Sequence, residues 1–146
     1  MMALTLITTT MARYMKSNHI FVYGTLRRGG NNNSLLRNAK FIASGKTKNL
    51  YSLYTAGIPY LNPNEKVCQV IGEVYEVDED TFMAIDMLEG HPRWYYRYPA
   101  EIVLEDGTDT IAWVYFNNQK TKHRLDNGDY IKYINSYDKS RISQKV

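Results

Sequence analysis

The sequence has too few cysteines for a disulfide and no apolar run long enough to cross a bilayer. Cys68 is the only cysteine in 146 residues, which excludes an internal disulfide and indicates a reducing compartment, so we expect a cytoplasmic protein. Every apolar run falls short of the roughly 20 residues that a membrane-spanning helix needs, so no membrane partner is expected. The composition, 44% hydrophobic and 23% charged, is typical of a single globular domain with a buried core.

Several catalytic signatures are also missing. His19, His91 and His123 do not have the spacing of metal ligands, and no cysteine cluster joins them. There is no Gly-x-Ser-x-Gly elbow, and the glycines of the loop at residues 27–33 are not followed by the Lys-Ser/Thr pair of a phosphate-binding loop. The sequence therefore predicts no metal site, no serine hydrolase and no P-loop nucleotide site.

Acidic residues are absent from the first 64 positions, which carry only basic charge, and they concentrate in residues 65–109. This asymmetry could steer an anionic ligand, or the oppositely charged segments could pair across one fold, which is the interpretation we prefer. The 13 tyrosines together with the net charge of +3 would also suit single-stranded nucleic acid. Because the tyrosines are scattered through predicted strands, where tyrosine is a favourable residue, no nucleic-acid partner is expected.

The domain boundaries follow from composition. We expect residues 1–18 to be a disordered N-terminal extension. A secretory signal is not expected, because Arg13 and Lys16 follow the weakly apolar stretch, whereas such a signal places its basic residues first. An organelle transit peptide is the alternative interpretation, since the extension has no acidic residue. Residues 19–137 form the predicted domain, and residues 138–146 form a polar tail.

The residue patterns predict an α+β domain. Strands are predicted over residues 19–23, 41–43, 49–54, 67–77, 95–104 and 110–116, with a turn at Gly45 and a loop over residues 55–63. Asp78 is the predicted N-cap of the principal helix, which Gly90 ends, and shorter helical segments are expected near residues 34–38 and 129–136. These elements predict a mixed, mostly antiparallel sheet curled into a small β-barrel with flanking helices.

The opening strand ends in a tight turn formed by Tyr23, Gly24, Thr25 and Leu26. Gly24 lacks a Cβ, so the backbone can bend there and a ligand can approach it closely. The amide groups of residues 24–26 leave the sheet ladder, and amides that point the same way form an anion-binding concavity. A purely structural turn is the alternative interpretation.

Glu89 is an acid on the apolar face of the principal helix. Phe82 and Ile85 mark that face, and Asp86 and Glu89 share it by helical spacing. Glu89 also lies in the last turn, where the helix dipole disfavours negative charge. A desolvated glutamate has a raised pKa and is a candidate general acid or base, whereas a solvated glutamate at a frayed helix end is the alternative.

Motifs along the chain resemble one known family. The segments FVYGTLRRGG, GIPYL, GEVYEVDEDTF, LEGHPRWYYR and WVYF resemble the γ-glutamylcyclotransferase-like superfamily over about residues 19–118. The sequence is most similar to the γ-glutamylamine cyclotransferases and their AIG2-like relatives. Members acting on γ-glutamyl amino acids typically have a Tyr-Gly-Ser-Asn turn, whereas the turn at Tyr23–Leu26 resembles the amine-directed branch.

The resemblance implies a fold, a site and a reaction. It implies that Glu89 is the acid/base, that the Tyr23–Leu26 turn binds the γ-glutamyl moiety, and that Tyr95 and Tyr115 line the pocket. It implies no cofactor and no metal. The α-amine of a small γ-glutamyl substrate would attack its own side-chain amide and release 5-oxoproline and a free amine. Two alternatives remain, a cyclotransferase for another γ-glutamyl compound and a non-catalytic module that binds a small carboxylate.

Overall fold

The fold is a closed five-stranded β-barrel beside a smaller sheet, seen in a computed structural model that describes residues 18–136. The strands are β1 (His19–Val22), β2 (Lys40–Thr47), β3 (Ser52–Thr55), β4 (Pro59–Asn62), β5 (Ile71–Glu76), β6 (Tyr96–Leu104), β7 (Asp109–Phe116) and β8 (His123–Arg124). The helices are a 3₁₀ turn (Asn33–Leu36), α1 (Glu79–Glu89) and α2 (residues 130–136).

The barrel has the strand order β1-β5-β2-β6-β7, and β1 closes it by pairing in parallel with β7. Its other pairs are antiparallel, and β4-β3-β8 forms the separate three-stranded sheet. This confirms the predicted mixed, mostly antiparallel barrel with flanking helices. None of the helices within residues 18–136 is long and apolar enough to span a membrane.

Helix α1 has the ends that the sequence predicted. The Asp78 carboxylate accepts a hydrogen bond from the Thr81 amide at 2.7 Å, which caps the first turn. Gly90 ends the helix in the left-handed conformation, with φ at 63°. Phe82 and Ile85 are buried in a hydrophobic cluster shared with strand β1, so α1 packs beside that strand. This packing brings the end of α1 towards the end of β1.

Side chains that alternate along β1 enter two hydrophobic clusters. Phe21 belongs to a cluster that also takes Val74, Ile102 and Val114 from the other barrel strands. Its neighbours Ile20 and Val22 belong to the cluster that contains the buried face of α1. Since β1 is buried on both faces, its register is fixed, and so is the position of the turn that follows it.

The predicted turn at Gly45 is wrong. Strand β2 runs unbroken through this residue, which pairs with Gly72 of β5 and with Leu104 of β6. A Cβ on Gly45 would lie 2.7 Å from the Val103 carbonyl oxygen. The glycine therefore permits close approach of two strand backbones, a role that a sequence pattern does not distinguish from a turn.

The predicted loop over residues 55–63 is also wrong in part, because residues 59–62 form β4 and pair with β3 as a hairpin. Pro59 is the first residue of that strand, a position where proline is tolerated. The long strand predicted over residues 67–77 is shorter and begins at Ile71, and the predicted loop at residues 117–127 contains the two-residue strand β8.

Opposite charges from distant segments pair with one another. Arg27 contacts Glu73 at 2.9 Å, and Lys48 contacts Asp109 at 2.8 Å and Glu101 at 3.2 Å. These pairs agree with the interpretation that the charge asymmetry is resolved by pairing within one fold. The predictions made for residues 1–17 and 138–146 lie outside the described residues.

Candidate active site

The residues predicted to form the site line a single cavity of about 150 Å³. These residues are Tyr23, Gly24, Thr25, Leu26, Glu89, Tyr95 and Tyr115. They come from the end of β1, the end of α1, the segment before β6 and the end of β7. Residues that the sequence had not assigned to the site complete the lining: Phe21, Val22, Asn32, Ile58, Pro59, Leu88 and Trp94.

In the turn after β1, the backbone carbonyls accept hydrogen bonds within the protein, whereas the backbone amides have no acceptor among the described residues. The Arg27 amide donates to the Gly24 carbonyl at 3.0 Å, and the Asn32 amide donates to the Thr25 carbonyl at 2.9 Å. The Asn32 side-chain amide also donates to the Thr25 hydroxyl at 2.9 Å. Within residues 18–136, no acceptor is found for the backbone amides of Gly24, Thr25 and Leu26. The turn therefore presents unpaired donors beside the cavity, where an anion could accept from them.

Gly24 allows the turn to lie against the start of β4. A Cβ on this residue would lie 2.5 Å from Cγ of Pro59, which is far inside van der Waals contact. The Pro59 carbonyl in turn accepts a hydrogen bond from the Tyr95 hydroxyl at 2.6 Å. One side of the cavity is thus a close stack of the turn, Pro59 and Tyr95, and it depends on the missing side chain at position 24.

Glu89 is partly buried at the C-terminal end of α1, facing the same cavity. No donor among the described residues hydrogen-bonds to its carboxylate. Desolvation by burial raises its pKa to about 7, because the charged form has lost water and gained no partner. Its backbone carbonyl accepts from the Tyr95 amide at 3.1 Å, which fixes the segment that follows the helix. A carboxylate in this state can accept and return a proton near neutral pH.

Three tyrosine hydroxyls near the cavity each donate their proton to an acceptor within the protein. Tyr23 donates to the Tyr115 carbonyl at 2.5 Å, and Tyr95 donates to the Pro59 carbonyl. Tyr115 donates to Asp86 at 2.6 Å. A hydroxyl has one proton, so these groups can only accept hydrogen bonds from a ligand.

Burial is the main reason that the pKa of each tyrosine is raised, and the nearby charge of Glu89 adds to it for Tyr23, Tyr95 and Tyr115. All three therefore stay neutral at physiological pH. The cavity thus combines acceptors, from Glu89 and the tyrosine oxygens, with the donors of the turn. Such a combination suits the ammonium and carboxylate groups of an amino acid.

Asp86, which the sequence placed on the same helix face as Glu89, does not line the cavity. Its carboxylate holds the Tyr115 hydroxyl and also accepts from Arg97 Nε at 2.9 Å. The Arg97 guanidinium lies 4.5 Å from the Phe82 ring and 4.6 Å from the Trp113 ring. Asp86 therefore positions Tyr115, and Arg97, which packs against two aromatic rings, holds Asp86 in place.

The sequence did not single out Glu73, which holds the segment that follows the turn. Glu73 is 5% exposed, and its carboxylate accepts from Arg27 Nε at 2.9 Å, from the Arg28 amide at 2.8 Å and from the Tyr75 hydroxyl at 3.2 Å. Arg27 also donates to Asp129 at 2.8 Å. This network ties the residues after the turn to β5 and to the start of α2.

Comparison with known proteins places the chain in a family. Residues 20–132 match the family described as gamma-glutamyl cyclotransferase, AIG2-like. A Methanocaldococcus jannaschii protein, provisionally named a gamma-glutamylcyclotransferase, is 47% identical over 116 residues, which are 79% of this chain and 97% of that one. The gamma-glutamylaminecyclotransferase of Rattus norvegicus is 41% identical over 98 residues, which are 60% of this chain and 65% of the rat protein.

Solved structures agree with this assignment. The crystal structure of an AIG2-like protein from Mus musculus superimposes with a TM-score of 0.67 at 30% identity, covering 78% of this chain and 88% of the mouse protein. The match of most of the barrel to one family, together with the similarity of sequence and fold, leads to one conclusion. The chain belongs to the AIG2-like family of γ-glutamyl cyclotransferases.

Proposed function

We propose that this protein is a γ-glutamylamine cyclotransferase in which Glu89 is the general acid and base. The observation that carries the proposal is the pairing, in one cavity, of an unpartnered carboxyl with a pKa of about 7 and a turn of unpaired amides. The reaction converts a γ-glutamylamine to 5-oxoproline and a free amine, and it uses no enzyme nucleophile.

The first step moves a proton. The α-amine of the substrate arrives as an ammonium with a pKa near ~8, and an ordinary glutamate, at ~4.3, is a weak base towards it. The raised pKa of Glu89 reduces this mismatch. The carboxylate takes one proton, and the neutral nitrogen then attacks the side-chain amide carbon of the same molecule. Because both reacting groups belong to one substrate, holding it folded in the ring-closing pose lowers the barrier further.

The second step breaks the amide. Attack forms the ring C–N bond and places the negative charge on the former carbonyl oxygen, where backbone amides of the turn at Gly24–Leu26 can stabilise it. The protonated Glu89 then donates its proton to the departing nitrogen, the original C–N bond breaks, and the carboxylate is restored. The restored carboxylate takes the second proton from the ring nitrogen, and this proton leaves with the released amine as its ammonium form. General acid–base help of this kind is worth on the order of 10²–10⁴ in rate.

An amine is the preferred leaving group because of the charges around the cavity. None of the described residues that line it is a lysine, an arginine or a histidine, so the second carboxylate of a γ-glutamyl amino acid would lack a cationic partner. The Tyr23–Leu26 turn, which resembles the amine-directed branch, supports the same choice. A γ-glutamyl amino acid is the second candidate, favoured by the name of the M. jannaschii relative.

The test measures 5-oxoproline released from γ-glutamyl-methylamide, γ-glutamyl-ε-lysine and γ-glutamyl-alanine. We expect product from an amine substrate and a fall in kcat of roughly 10²–10⁴ in Glu89→Gln. The matched control is Glu79→Gln, which removes an exposed acid from the opposite end of the same helix and should retain activity.

Full activity in Glu89→Gln would remove this residue from the mechanism. If γ-glutamyl compounds raise the melting temperature but release no 5-oxoproline, the protein is a binding module for a small carboxylate and not an enzyme.

A further inference from the structure

The solvent-facing side of the cavity is apolar. Ile58, Leu88 and Trp94 line it and are respectively 37%, 43% and 48% exposed. They come from three separate segments, the turn before β4, the end of α1 and the segment before β6. Large apolar side chains that converge from different elements and stay exposed at a cavity are typical of a ligand-contacting surface.

The Trp94 side chain is held in place although half of it is exposed. Its ring packs edge-on against Tyr60, with centroids 6.1 Å apart, and against Tyr95 at 6.3 Å. The backbone is fixed as well, since the Trp94 amide donates to the Gly90 carbonyl at 2.9 Å and its carbonyl accepts from Asn117 at 3.0 Å. A fixed, exposed aromatic ring can bind an apolar group without first losing conformational freedom.

Few formally charged side chains lie near the solvent-facing side of the cavity. Among the described residues that line the cavity, Glu89 is the one with a formally charged side chain. Two arginines of neighbouring segments are paired elsewhere, Arg27 with Glu73 and Arg97 with Asp86, and Arg28 lies over the Phe41 ring. Arg93 is exposed beside Trp94 in sequence but is not among the lining residues. A charged leaving group would be desolvated against apolar surface without a counter-charge.

We propose that the leaving amine is uncharged apart from its reacting nitrogen and carries an apolar alkyl or arylalkyl group that packs against Ile58, Leu88 and Trp94. This inference rests on the proposed function and specifies its substrate class. The γ-glutamyl head occupies the inner cavity between Glu89 and the turn, and the amide nitrogen points its substituent outward. Zwitterionic, cationic and carboxylate-bearing substituents are all poorer substrates than apolar ones.

Two matched substrate pairs test the proposal through kcat/KM for 5-oxoproline release. γ-Glutamyl-phenethylamide and γ-glutamyl-phenylalanine differ by one carboxylate, and γ-glutamyl-pentylamide and γ-glutamyl-5-aminopentylamide differ by one ammonium. We expect the uncharged member to be better by about tenfold or more in each pair. γ-Glutamyl-methylamide, which lacks an apolar group, should fall below γ-glutamyl-phenethylamide by a similar factor, since apolar groups of this size discriminate by at least tenfold.

A cation introduced beside Ile58 and Trp94 should weaken the preference for an uncharged substituent. Leu88→Arg places a cation on the rim, and we expect it to raise the ratio of kcat/KM for γ-glutamyl-phenylalanine over γ-glutamyl-phenethylamide by about tenfold. The matched control is Met87→Arg, which adds the same charge one residue earlier, at a position that is 81% exposed and does not line the cavity. It should leave that ratio within about twofold of the wild type.

A second variant removes the aromatic surface. Trp94→Ala should lower the ratio of γ-glutamyl-phenethylamide to γ-glutamyl-methylamide about tenfold, with thermal unfolding used to verify that it is folded. The inference is overturned, and the proposed function kept, if γ-glutamyl-phenylalanine is the better substrate or if the two arginine variants change the ratio equally. If no compound in the panel yields 5-oxoproline, the proposed function fails and this inference with it.

Discussion

Glu73 and Glu89 are two carboxylates shielded from water beside the same turn, but they differ in their hydrogen-bond partners. Glu73 accepts three hydrogen bonds, one of them from the Arg27 guanidinium at 2.9 Å. Glu89 receives none from the described residues, and burial alone raises its pKa. A buried acid with a full set of donors stabilises structure, whereas a buried acid without them is available for proton transfer.

A third glutamate, Glu65, shows how strongly hydrogen-bond donors change the pKa of a carboxyl group. Hydrogen bonds from Lys120, and then from Ser52 and Tyr54, lower the pKa of Glu65 to about 2. In the same chain, burial raises the pKa of Glu89 to about 7. Since both are glutamates, the difference comes from their surroundings, because Glu65 is solvated and has several donors, whereas Glu89 is desolvated and has none among the described residues. Burial without donors is the feature that the proposed mechanism requires.

The largest effect on stability should come from removing the charge of the partnered acid. Glu73→Gln leaves the Arg27 side chain, which is only 12% exposed, without one of its two carboxylates, and we expect the free energy of unfolding to fall by about 3 kcal/mol in urea titrations. The control is Glu76→Gln on the same strand, where an exposed pair with His19 at 3.6 Å is lost and the change should stay below about 1 kcal/mol. Equal losses in the two variants would mean that the Glu73 network does not stabilise the fold.

An intermediate effect should follow from crowding the turn on its Pro59 side. Gly24→Ala forces the new Cβ against Cγ of Pro59, and we expect a loss of about 2 kcal/mol in unfolding free energy and a lower kcat/KM. The double variant Gly24→Ala/Pro59→Ala lacks the clashing atom, so its destabilisation should be smaller than the sum of the single changes. Simple additivity would show that this contact does not determine the geometry of the turn.

The smallest expected change in stability is a gain, and it comes from removing the charge of Glu89. Because folding raises the pKa of Glu89 from 4.5 to about 7, the native state binds more protons than the unfolded state between these values. The charged carboxylate therefore destabilises the fold above pH 7, and this penalty disappears as the pH falls below 4.5. At pH 8 this penalty corresponds to about 3 kcal/mol for the charged form. Because the amide introduced by Glu89→Gln is itself desolvated, the variant should be more stable than the wild type by only about 1–2 kcal/mol at pH 8 in thermal or urea unfolding. A variant that is less stable at pH 8 would contradict the absence of donors.

Local signals in the sequence were enough to predict the elements that carry the site. Asp78 and Gly90 mark the ends of α1 by their capping chemistry, and the position of Glu89 on the apolar stripe makes it a candidate acid or base. The glycine in the turn after the first strand located the other side of the cavity. The ends of α1 are confirmed, and both regions line the same cavity. These signals were sufficient because each depends on residues that are close in sequence. The catalytic role of Glu89 stays a prediction.

The same criterion could have found Glu73, which shares a strand face with Ile71 and Tyr75 and is also an acid among apolar residues. What separates it from Glu89 is a partner 46 positions away in the chain, Arg27, and a pattern within one strand does not contain that information. The turn predicted at Gly45 is wrong for a related reason, because the backbone that approaches this residue belongs to β6. The exposed apolar rim likewise combines residues from three segments.

The most direct measurement is the titration of the Glu89 side chain itself, by ¹³C NMR of protein labelled at glutamate carboxyls, with Glu89→Gln used to assign the signal. We predict a midpoint near pH 7. A midpoint near 4.5, the ordinary value for this side chain, would mean that the carboxylate is hydrated or partnered, and it would contradict the proposed role of Glu89 in proton transfer.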